Sequence, residues 1–567
     1  MKRWRLALFL SFAVITAAIL LSRLFYLQVV AHKFYQAAAL GQQVGFKEVK
    51  GDRGEIFFSN SKETQGSISR GDKKGLAVNK DVFFVVAVPK KIKDNEAAAL
   101  SLANSIGVLP ATITAKFEQN NSYVIIKKDL SQEEIEDIKN ADIEGVYLEK
   151  ETRVFYPQAS MASQVVGFFG GASTGQYGLE GYYETLLAGK EGIYEDRRGL
   201  AIINSEKNFD LNGSDLYLTL DYNIQFQAEA LLAEAHKNIN IQSGQVIVVK
   251  PDSGRILAMA NFPSFNLNNY SKETDLGIFQ NSAVQKLFEP GSVFKPFTMA
   301  MAFEEHKITP DTTFVDTGSV TIGPDTVSNF NHEKYGTQTM TGILEKSINT
   351  GAVFLSSLIP HDTFTGYLEK LGFNKKTGVD LQGEVASRNE LLKGGSNFGF
   401  ATASFGQGIE MTPIQLVRAF SVFANGGNMV KPYMVEKIVH GTDQEVMRPE
   451  ISSGVISKQT AAEVNKMLIN VVERGFGDGA KIHGYYLAGK TGTAQVPYEN
   501  KKGYYADKTI QSFIGYGPAL APQFLILVKL DDPKVPKSAL SAVPIFKKLA
   551  QYIINYWQIP PDYQIAP

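Results

Sequence analysis

The sequence predicts a single N-terminal transmembrane helix followed by two domains of the α/β (α+β) class, the second with a mainly antiparallel sheet covered by helices. Three observations support this prediction. An uncharged apolar run lies at Leu6–Ser22, short β-rich pieces alternate with polar stretches up to about Glu206, and longer strands and helices follow from about Asp210. A chain of 567 residues also exceeds the size of one hydrophobic core. The predicted divisions are a membrane anchor with a short cytoplasmic N-terminus at 1–22, a juxtamembrane helix at 23–43, a first domain at 44–206 and a second domain at 207–567.

The apolar run "LALFLSFAVITAAILLS" is long enough to cross a membrane as a helix. At 1.5 Å per residue it spans about 26 Å, close to the thickness of the hydrocarbon core. Lys2, Arg3 and Arg5 precede it, and positive charge on this side predicts a cytoplasmic N-terminus. A cleaved signal peptide is the alternative, since "TAA" supplies small residues, but the run is longer than most signal-peptide apolar regions. We therefore expect a single-pass protein of the cell membrane, with the residues after the anchor outside the cytoplasm.

The segment at 23–43, "RLFYLQVVAHKFYQAAALGQQ", has apolar residues at helical spacing and no proline, which predicts a helical stalk. In the first domain, "DVFFVVAVP" and "NSYVIIKK" are typical of strands and "DNEAAALSLANSIG" is typical of a helix. The second domain begins with a strand, "DLYLTLD", a helix, "YNIQFQAEALLAEAHKN", and a hairpin, "SGQVIVVKPDSGRILAMAN". Near its end, "QSFIGYGPA" and "QFLILVKLDD" predict two more strands before a final helix, "SAVPIFKKLAQYIINYW".

Composition excludes several classes of function. The formal net charge is −1, and the chain lacks the clustered Lys and Arg of a nucleic-acid groove. It has no cysteine, so thiolate nucleophiles and Cys-ligated metals are excluded. Its seven histidines include no HExxH pair, which makes a zinc hydrolase an unfavoured interpretation. The sequence predicts neither a metal nor a cofactor.

A serine and a lysine three residues apart, Ser292 and Lys295, lie in the stretch "FEPGSVFKPFT". On a helix this spacing places both side chains on one face, where the amine can take the hydroxyl proton. The stretch "SNSK" at Ser59–Lys62 has the same spacing. It lies in a polar, Gly/Ser-rich segment that predicts a solvated loop, where a lysine keeps its ordinary pKa. Ser292 is therefore the predicted nucleophile.

Two further polar motifs follow in chain order. "KSINT" contains Ser347 and Asn349, and "GKTGTAQ" contains the predicted substrate-binding residues Lys490, Thr491, Gly492 and Thr493. The ordered set S-x-x-K, S-x-N and K-T-G is the signature of penicillin-interacting serine acyltransferases. "SFN" at Ser264 precedes the serine–lysine pair, and "KTG" at Lys376 lies in a turn-like segment, so both copies are predicted to be structural. The copy at Lys490 has the apolar neighbours of a strand, whose edge can bind a peptide by strand addition.

With these motifs, the chain resembles the class B penicillin-binding proteins over nearly its whole length. In the second half, "NSAVQKLFEPGSVFKPFT", "GFNKKTGVDLQGE", "SFGQGIEMTPIQLVRAFSVFANGG" and "FIGYGPA" resemble the transpeptidase domain of that family. In the first half, "GDRGEI", "RVFYP" and "GLEGYYETLLAGKEG" resemble its non-catalytic pedestal, also called the dimerisation domain. One departure is the stretch "FFSNSKETQGSISRGDKKG", which replaces the continuation of the family's Arg-Gly motif. "FEPGSVFKPFT" and "DDPK" resemble the division type more than the elongation type.

The resemblance implies acyl transfer on peptidoglycan stem peptides that end in D-Ala-D-Ala, with penicillin as an inhibitor. It implies that Ser292 attacks the penultimate carbonyl, that Lys295 is the base, and that Ser347 passes a proton to the departing D-alanine. Asn349 would hold Lys295 or the substrate amide. Lys490, Thr491 and Thr493 would bind the terminal carboxylate, and the N-H groups of Ser292 and Thr493 would form the oxyanion hole.

The resemblance also implies partners and alternatives. A division-type enzyme is expected to work in the septum with a polytopic glycosyltransferase and other division proteins. The alternatives are an elongation-type transpeptidase, a β-lactamase or D,D-carboxypeptidase with the same serine motifs, a penicillin-sensing receptor and a non-catalytic scaffold. The receptor would need a zinc-protease helix that the sequence lacks.

Pro296 raises a conflict within the serine–lysine motif. Proline fits only the first turn of a helix, so the motif is predicted at a helix start, where free N-H groups favour a developing oxyanion. The residue before proline, however, disfavours helical geometry, and that residue is Lys295.

Overall fold

The structure is a computed structural model, and it describes residues 15–17, 20–25, 46–59, 74–118, 123–195, 211–389, 392, 394–498 and 503–563. The predicted anchor at 1–22 and juxtamembrane helix at 23–43 fall largely outside these residues. No helix in the described part of the chain combines the length and apolar character needed to cross a membrane. The segment after Ser59 that contains the rest of "SNSK" also lies outside the described residues.

The chain forms two compact units. The smaller is built from residues 1–54, 186–214 and 440–443, and the larger from the other residues. In the smaller unit, β1 (Phe46–Lys50) pairs antiparallel with β8 (Glu191–Glu195). All eight predicted site residues belong to the larger unit.

The other strands follow in chain order. They are β2 (Ile56–Phe57), β3 (Gly75–Ala87), β4 (Val124–Lys127), β5 (Val146–Phe155), β6 (Phe168–Phe169), β7 (Gly175–Gln176), β9 (Asp215–Leu218), β10 (Ser243–Val249), β11 (Ile256–Phe262), β12 (Thr313–Asp316), β13 (Ser319–Ile322), β14 (Asp325–Ser328), β15 (Gly336–Thr339), β16 (Met429–Val430), β17 (Val435–His440), β18 (Asp443–Val446), β19 (Ile451–Ser452), β20 (Ala488–Pro497), β21 (Tyr504–Gly517) and β22 (Phe524–Asp531).

The α-helices with defined bounds also follow in chain order. They are α1 (Asn95–Ile106), α2 (Pro110–Phe117), α3 (Gln132–Ala141), α4 (Ser163–Val166), α5 (Gly178–Tyr182), α6 (Glu184–Leu187), α7 (Tyr222–Ile239), α8 (Ser282–Gln285), α9 (Lys295–Glu304), α10 (Met340–Glu345), α11 (Asn349–Ser357), α12 (His361–Lys370), α13 (Asn397–Ala403), α14 (Pro413–Ala424), α15 (Lys458–Arg474) and α16 (Ala542–Tyr556).

A five-stranded sheet supports the predicted site. Its order is β11-β10-β22-β21-β20, and every neighbouring pair is antiparallel. β10 and β22 are buried along almost their whole length, because helices cover the sheet. Apolar residues of α7 and α16 share one buried cluster with these strands. The predicted antiparallel sheet covered by helices is therefore confirmed, with β20 at its edge.

Local signals place the predicted helices accurately. The Asp94 side chain accepts hydrogen bonds from the first turn of α1, and Gly107 ends that helix with φ +63°. Asp221, the last residue of "DLYLTLD", caps α7 in the same way. The strand before it is β9, and the strand–helix–hairpin order predicted for this segment is the observed one.

A seven-stranded sheet combines segments from both sides of the predicted boundary at residue 206. Its order is β18-β17-β9-β2-β3-β4, with β5 also paired to β3. β2 runs parallel to β9, with Ile56 opposite Leu216. A two-residue strand has no periodic pattern, so sequence analysis could not predict this pairing.

Candidate active site

Ser292 lies in a 3-10 turn, Gly291–Phe294, that leads directly into α9. In 3-10 geometry, side chains three residues apart eclipse one another. Lys295 Nζ consequently lies 3.0 Å from Ser292 Oγ. The backbone N-H of Lys295 also donates to the carbonyl of Ser292. The serine–lysine spacing thus places the amine within reach of the hydroxyl proton.

Pro296 is accommodated because it is the second residue of α9, where its missing N-H costs no helical hydrogen bond. Lys295 keeps helical angles, φ −52° and ψ −37°, although a residue before proline disfavours them. Its N-H closes the preceding 3-10 turn, and this hydrogen bond offsets part of the steric cost. The motif lies at a helix start, as its sequence context predicts.

Two glycines bring a loop after α13 against this turn. Gly291 has φ +59° and Gly406 has φ +81°, which glycine adopts without a Cβ penalty. The N-H of Gly291 donates to the carbonyl of Gly406 at 2.9 Å. A Cβ at Gly406 would lie 2.1 Å from the carbonyl oxygen of Gly291. The close approach therefore requires glycine at position 406.

Lys295 is fully buried, with 0% of its surface exposed. Its Nζ lies 2.6 Å from the carbonyl oxygen of Ser347 and 2.8 Å from Asn349 Oδ1. Burial, and secondarily the positive charge of Lys490, hold the pKa of Lys295 well below its usual range. A lowered pKa favours the neutral amine, which is the form that can act as a base.

Ser347 lies between α10 and α11 with φ +54°. A non-glycine residue in this region carries backbone strain. The turn places Ser347 Oγ 3.2 Å from Lys295 Nζ and 3.0 Å from Lys490 Nζ. One hydroxyl therefore bridges the two lysines of the site.

Lys490, Thr491, Gly492 and Thr493 lie on β20. Lys490 is 0% exposed, and its Nζ lies 3.0 Å from the carbonyl oxygen of Thr491 and 3.3 Å from Thr491 Oγ1. Burial lowers the pKa of Lys490 to about 7. The outer edge of β20 pairs with no other strand of the described residues.

The 3-10 turn packs closely against β20. A Cβ at Gly492 would lie 2.9 Å from Val293 Cγ1 and 3.2 Å from the carbonyl oxygen of Pro290. A Cβ at Gly291 would lie 3.3 Å from the carbonyl oxygen of Thr493. Glycine at both positions lets the turn and the strand approach each other. Ser292 and Thr493 are thereby brought to one place.

The structure brings all eight predicted residues together, and none of the described contacts of this site involves the other "KTG" or "SFN". Thr377 of the other "KTG" donates its N-H and hydroxyl to Glu384 Oε1, at 2.6 and 2.5 Å. The N-H of Gly378 donates to the other oxygen of Glu384 at 3.0 Å. This copy lies in an irregular segment just after a turn, and Glu384 holds it in place. Ser264 of "SFN" is exposed.

Sequence analysis assigned no role to Glu289, three residues before Ser292. Its carboxylate oxygen Oε1 accepts from the N-H of Gly408 at 3.1 Å and from the hydroxyl of Tyr504 at 3.3 Å. Burial raises the pKa of Glu289 to about 7. The only sequence signal was the position of an acidic residue within an apolar stretch.

A cavity of about 600 Å³ lies beside α11, but none of the eight predicted residues lines it. Its walls include Phe314, Val353, Phe354 and Phe400. Thr350, which follows Asn349 in the chain, also lines the cavity. The convergence of polar groups, and not cavity volume, identifies the site around Ser292.

A serine hydroxyl beside a buried lysine, with a second lysine on a strand edge, is the arrangement expected of a serine acyltransferase that uses lysine as its base. Comparisons with known proteins agree with this class. The family model of the penicillin binding protein transpeptidase domain matches residues 244–551, and that of the penicillin-binding protein dimerisation domain matches residues 60–218. The chain belongs to the penicillin-binding protein family.

The relatives match over most of their length. Stage V sporulation protein D of Bacillus subtilis (strain 168) is 30% identical, over 94% of this chain and 82% of its own. Peptidoglycan D,D-transpeptidase FtsI of Escherichia coli (strain K12) is 27% identical, over 99% of this chain and 93% of its own. The crystal structure of penicillin binding protein 3 from Mycobacterium tuberculosis, complexed with aztreonam, has a TM-score of 0.69 at 26% identity and covers 91% of this chain and 98% of its own.

Proposed function

We propose that Ser292 is the residue acylated by a peptidoglycan D,D-transpeptidase and that Lys295 is its general base. The protein is a serine-type D-Ala-D-Ala transpeptidase, in keeping with its family and with the activity for which its relatives are named. One observation carries the assignment of Ser292. Its hydroxyl lies 3.0 Å from the amine of a lysine that is 0% exposed.

In acylation, Ser292 Oγ attacks the carbonyl carbon of the penultimate D-alanine while Lys295 takes the hydroxyl proton. The amine must be neutral to do so, and the lowered pKa of Lys295 supplies the neutral form. The peptide C–N bond then breaks, and terminal D-alanine leaves with a proton passed through Ser347. The contacts of Ser347 Oγ with both lysines provide a short path for that proton.

Substrate binding is assigned to β20. Lys490, Thr491 and Thr493 bind the terminal carboxylate, and Gly492 lets the stem peptide lie along the strand edge. A bound carboxylate favours the charged form of Lys490, whose pKa is otherwise about 7. The N-H groups of Ser292 and Thr493 form the oxyanion hole. The close packing of the 3-10 turn on β20 supports this pairing.

In the second half-reaction, the amine of a neighbouring stem peptide attacks the ester carbonyl of the acyl-enzyme. The bond to Ser292 Oγ breaks and an amide cross-link forms, while Lys295 takes a proton from the attacking amine and delivers it to Ser292 Oγ. A β-lactam acylates the same oxygen, but its opened ring stays attached to the carbonyl and blocks the acceptor amine.

The cellular role is proposed from the resemblance. Residues 1–22 anchor the protein with its N-terminus inside, 23–43 form a stalk, 44–206 form the pedestal, and 207–567 form the extracytoplasmic transpeptidase domain. The protein works in septal synthesis with a polytopic glycosyltransferase and other division proteins. The division-type features are "FEPGSVFKPFT" and "DDPK", and relatives named FtsI support them. Tagged protein should concentrate at midcell, and an even lateral distribution would favour elongation.

Covalent labelling by a fluorescent penicillin tests the chemistry. The variants are Ser292→Ala and two matched controls from the discarded motifs, Ser59→Ala and Ser264→Ala. We expect stable label on wild type and on both controls, and none on Ser292→Ala. Rapid loss of the label would indicate a β-lactamase. Folded wild-type protein that takes no label would indicate a scaffold.

A further inference from the structure

The first turn of α11 carries Asn349 but has no cap of its own. Ile348 precedes this helix and makes no side-chain hydrogen bond to it. The N-H groups of Asn349 and Thr350 instead donate to Oδ1 of Asn329, at 3.0 and 3.1 Å. Asn329 lies 20 residues before Asn349 and is 5% exposed. A remote, buried side chain therefore supplies the cap.

A buried carboxylate fixes the orientation of the Asn329 carboxamide. Asn329 Nδ2 lies 2.9 Å from each oxygen of Asp316, which is 3% exposed. A carboxylate only accepts hydrogen bonds, so the NH₂ group faces Asp316 and Oδ1 faces α11. The hydroxyl of Thr350 and the N-H groups of Gly318 and Tyr335 also donate to Asp316. Burial opposes ionisation, but these hydrogen bonds outweigh it and lower the pKa of Asp316.

The same segment holds the side chain of Asn349. Asn349 Nδ2 donates to the carbonyl oxygen of Ser328 at 3.0 Å. Asn349 Oδ1 is thereby directed at Lys295 Nζ, 2.8 Å away. Residues 328 and 329 together fix both the backbone and the carboxamide of Asn349. This acceptor is one of four oxygens around the Lys295 amine, with Ser292 Oγ and the carbonyl and hydroxyl oxygens of Ser347.

We propose that Asn329 is a positioning residue for acylation: it holds Asn349, and through Asn349 the amine of Lys295, in the geometry that activates Ser292. The inference rests on the proposed function, because it takes Lys295 as the base. Asn329 acts through Asn349 and not by contact with the reacting atoms. Its effect must therefore disappear when the Asn349 side chain is removed.

A double-mutant cycle tests this dependence. The proteins are full-length wild type, Asn329→Ala, Asn349→Ala and the double variant, and the measurement is the second-order rate constant of acylation by a fluorescent penicillin. We expect Asn329→Ala to lower it by about 10- to 100-fold, as the loss of a buried hydrogen-bonded group implies. The double variant should be within about twofold of Asn349→Ala. Losses that multiply would overturn the proposal.

The pH profile is a second readout, which a purely structural role would not move. Asn349 Oδ1 accepts a hydrogen bond that favours the charged amine of Lys295, while Lys490 is the neighbouring charge that disfavours it. In Asn329→Ala the released Asn349 no longer favours the charged amine, so the pKa of Lys295 falls. The acidic limb, the part of the pH profile in which the acylation rate falls with falling pH, should therefore shift to lower pH. A limb that stays at the wild-type pH would contradict the proposal.

Asp316→Asn tests the network without leaving a cavity. The substituted asparagine has nearly the same shape as Asp316, but it presents an NH₂ group where Asp316 has an acceptor oxygen. That NH₂ group faces the NH₂ group of Asn329, so the Asn329 carboxamide is no longer held in its orientation. Acylation at the wild-type rate would overturn the proposal. The matched control is Asn281→Ala, because Asn281 is a 3% exposed cap of α8. That variant should acylate within about twofold of wild type.

The two levels of failure are distinguishable. If the proposed function is wrong, the wild-type protein either takes no penicillin or loses its label rapidly. If only the role of Asn329 is wrong, wild type is labelled normally and the losses of the two asparagine variants multiply.

Discussion

Removing the charge of Lys490 should raise the pKa of Lys295. Ser347 Oγ lies 3.2 Å from Lys295 Nζ and 3.0 Å from Lys490 Nζ, so the two nitrogens are no more than about 6.2 Å apart, the sum of these distances. At this separation and an effective dielectric constant of about 20, two unit charges repel by about 3 kcal/mol. That free energy corresponds to about 2 pKa units.

The sign follows from the role of the base. Acylation needs a neutral Lys295, and below pH 7 Lys490 carries its proton, because its pKa is about 7. In Lys490→Met this repulsion is absent, so Lys295 holds its proton to higher pH. The acidic limb of the acylation rate should move upward by about 2 pH units. The lower absolute rate expected from poorer carboxylate binding does not change the position of the limb.

The assay is the second-order rate constant of acylation by a fluorescent penicillin, measured from about pH 5 to pH 9. Lys537→Met is the control, because Lys537 is exposed and a surface charge is screened by solvent. Its limb should coincide with that of wild type. A Lys490→Met limb at the wild-type pH, or below it, would refute the electrostatic coupling of the two lysines.

Two further predictions concern stability. Burial raises the pKa of Glu289 to about 7, so the folded protein binds more protons than the unfolded chain between about pH 4.5 and 7, and stability falls with rising pH by up to about 3 kcal/mol. Glu289→Gln should remove this fall in urea unfolding at pH 5 and pH 8, and an unchanged pH slope would contradict it. Gly406→Ala should destabilise the protein by more than about 2 kcal/mol in the same assay, because of its positive φ and the clash with Gly291. The control is Gly366→Ala in α12, where a Cβ meets open space and a gain of up to about 1 kcal/mol is expected; equal effects of the two substitutions would be inconsistent with the clash.

Sequence analysis predicted the elements whose signals are local. The hairpin of β10 and β11 follows from two apolar runs around a Pro-Asp-Ser-Gly turn, and α7 follows from Asp221 and a helical repeat. The parallel pairing of β2 with β9 has no such signal. It pairs Ile56 with Leu216, and most of the first domain lies between these two residues in the sequence. The pairing depends on tertiary packing and not on a local sequence pattern.

The candidate site was predictable where chemistry demands particular residue types in order. Three short motifs were sufficient to predict that Ser292, Lys295, Ser347 and Lys490 form one site. In the structure these four residues are in contact. The supporting groups were not predictable. Asn329 caps a helix 20 residues away, and an asparagine in "VSNFNH" is equally typical of an ordinary turn.

The free edge of β20 has a consequence for how drug resistance can arise. Most exposed edge strands are protected by a charge, a proline or a covering loop, but this edge must stay open if a stem peptide is to pair with it. If penicillin binds at the same edge, it uses an opening that the enzyme cannot close without losing its own substrate. Substitutions that cover the strand should therefore be rare among viable variants. Tolerated changes should instead lie at positions where the drug and the stem peptide differ in shape, and each should weaken cross-linking less than acylation by the drug.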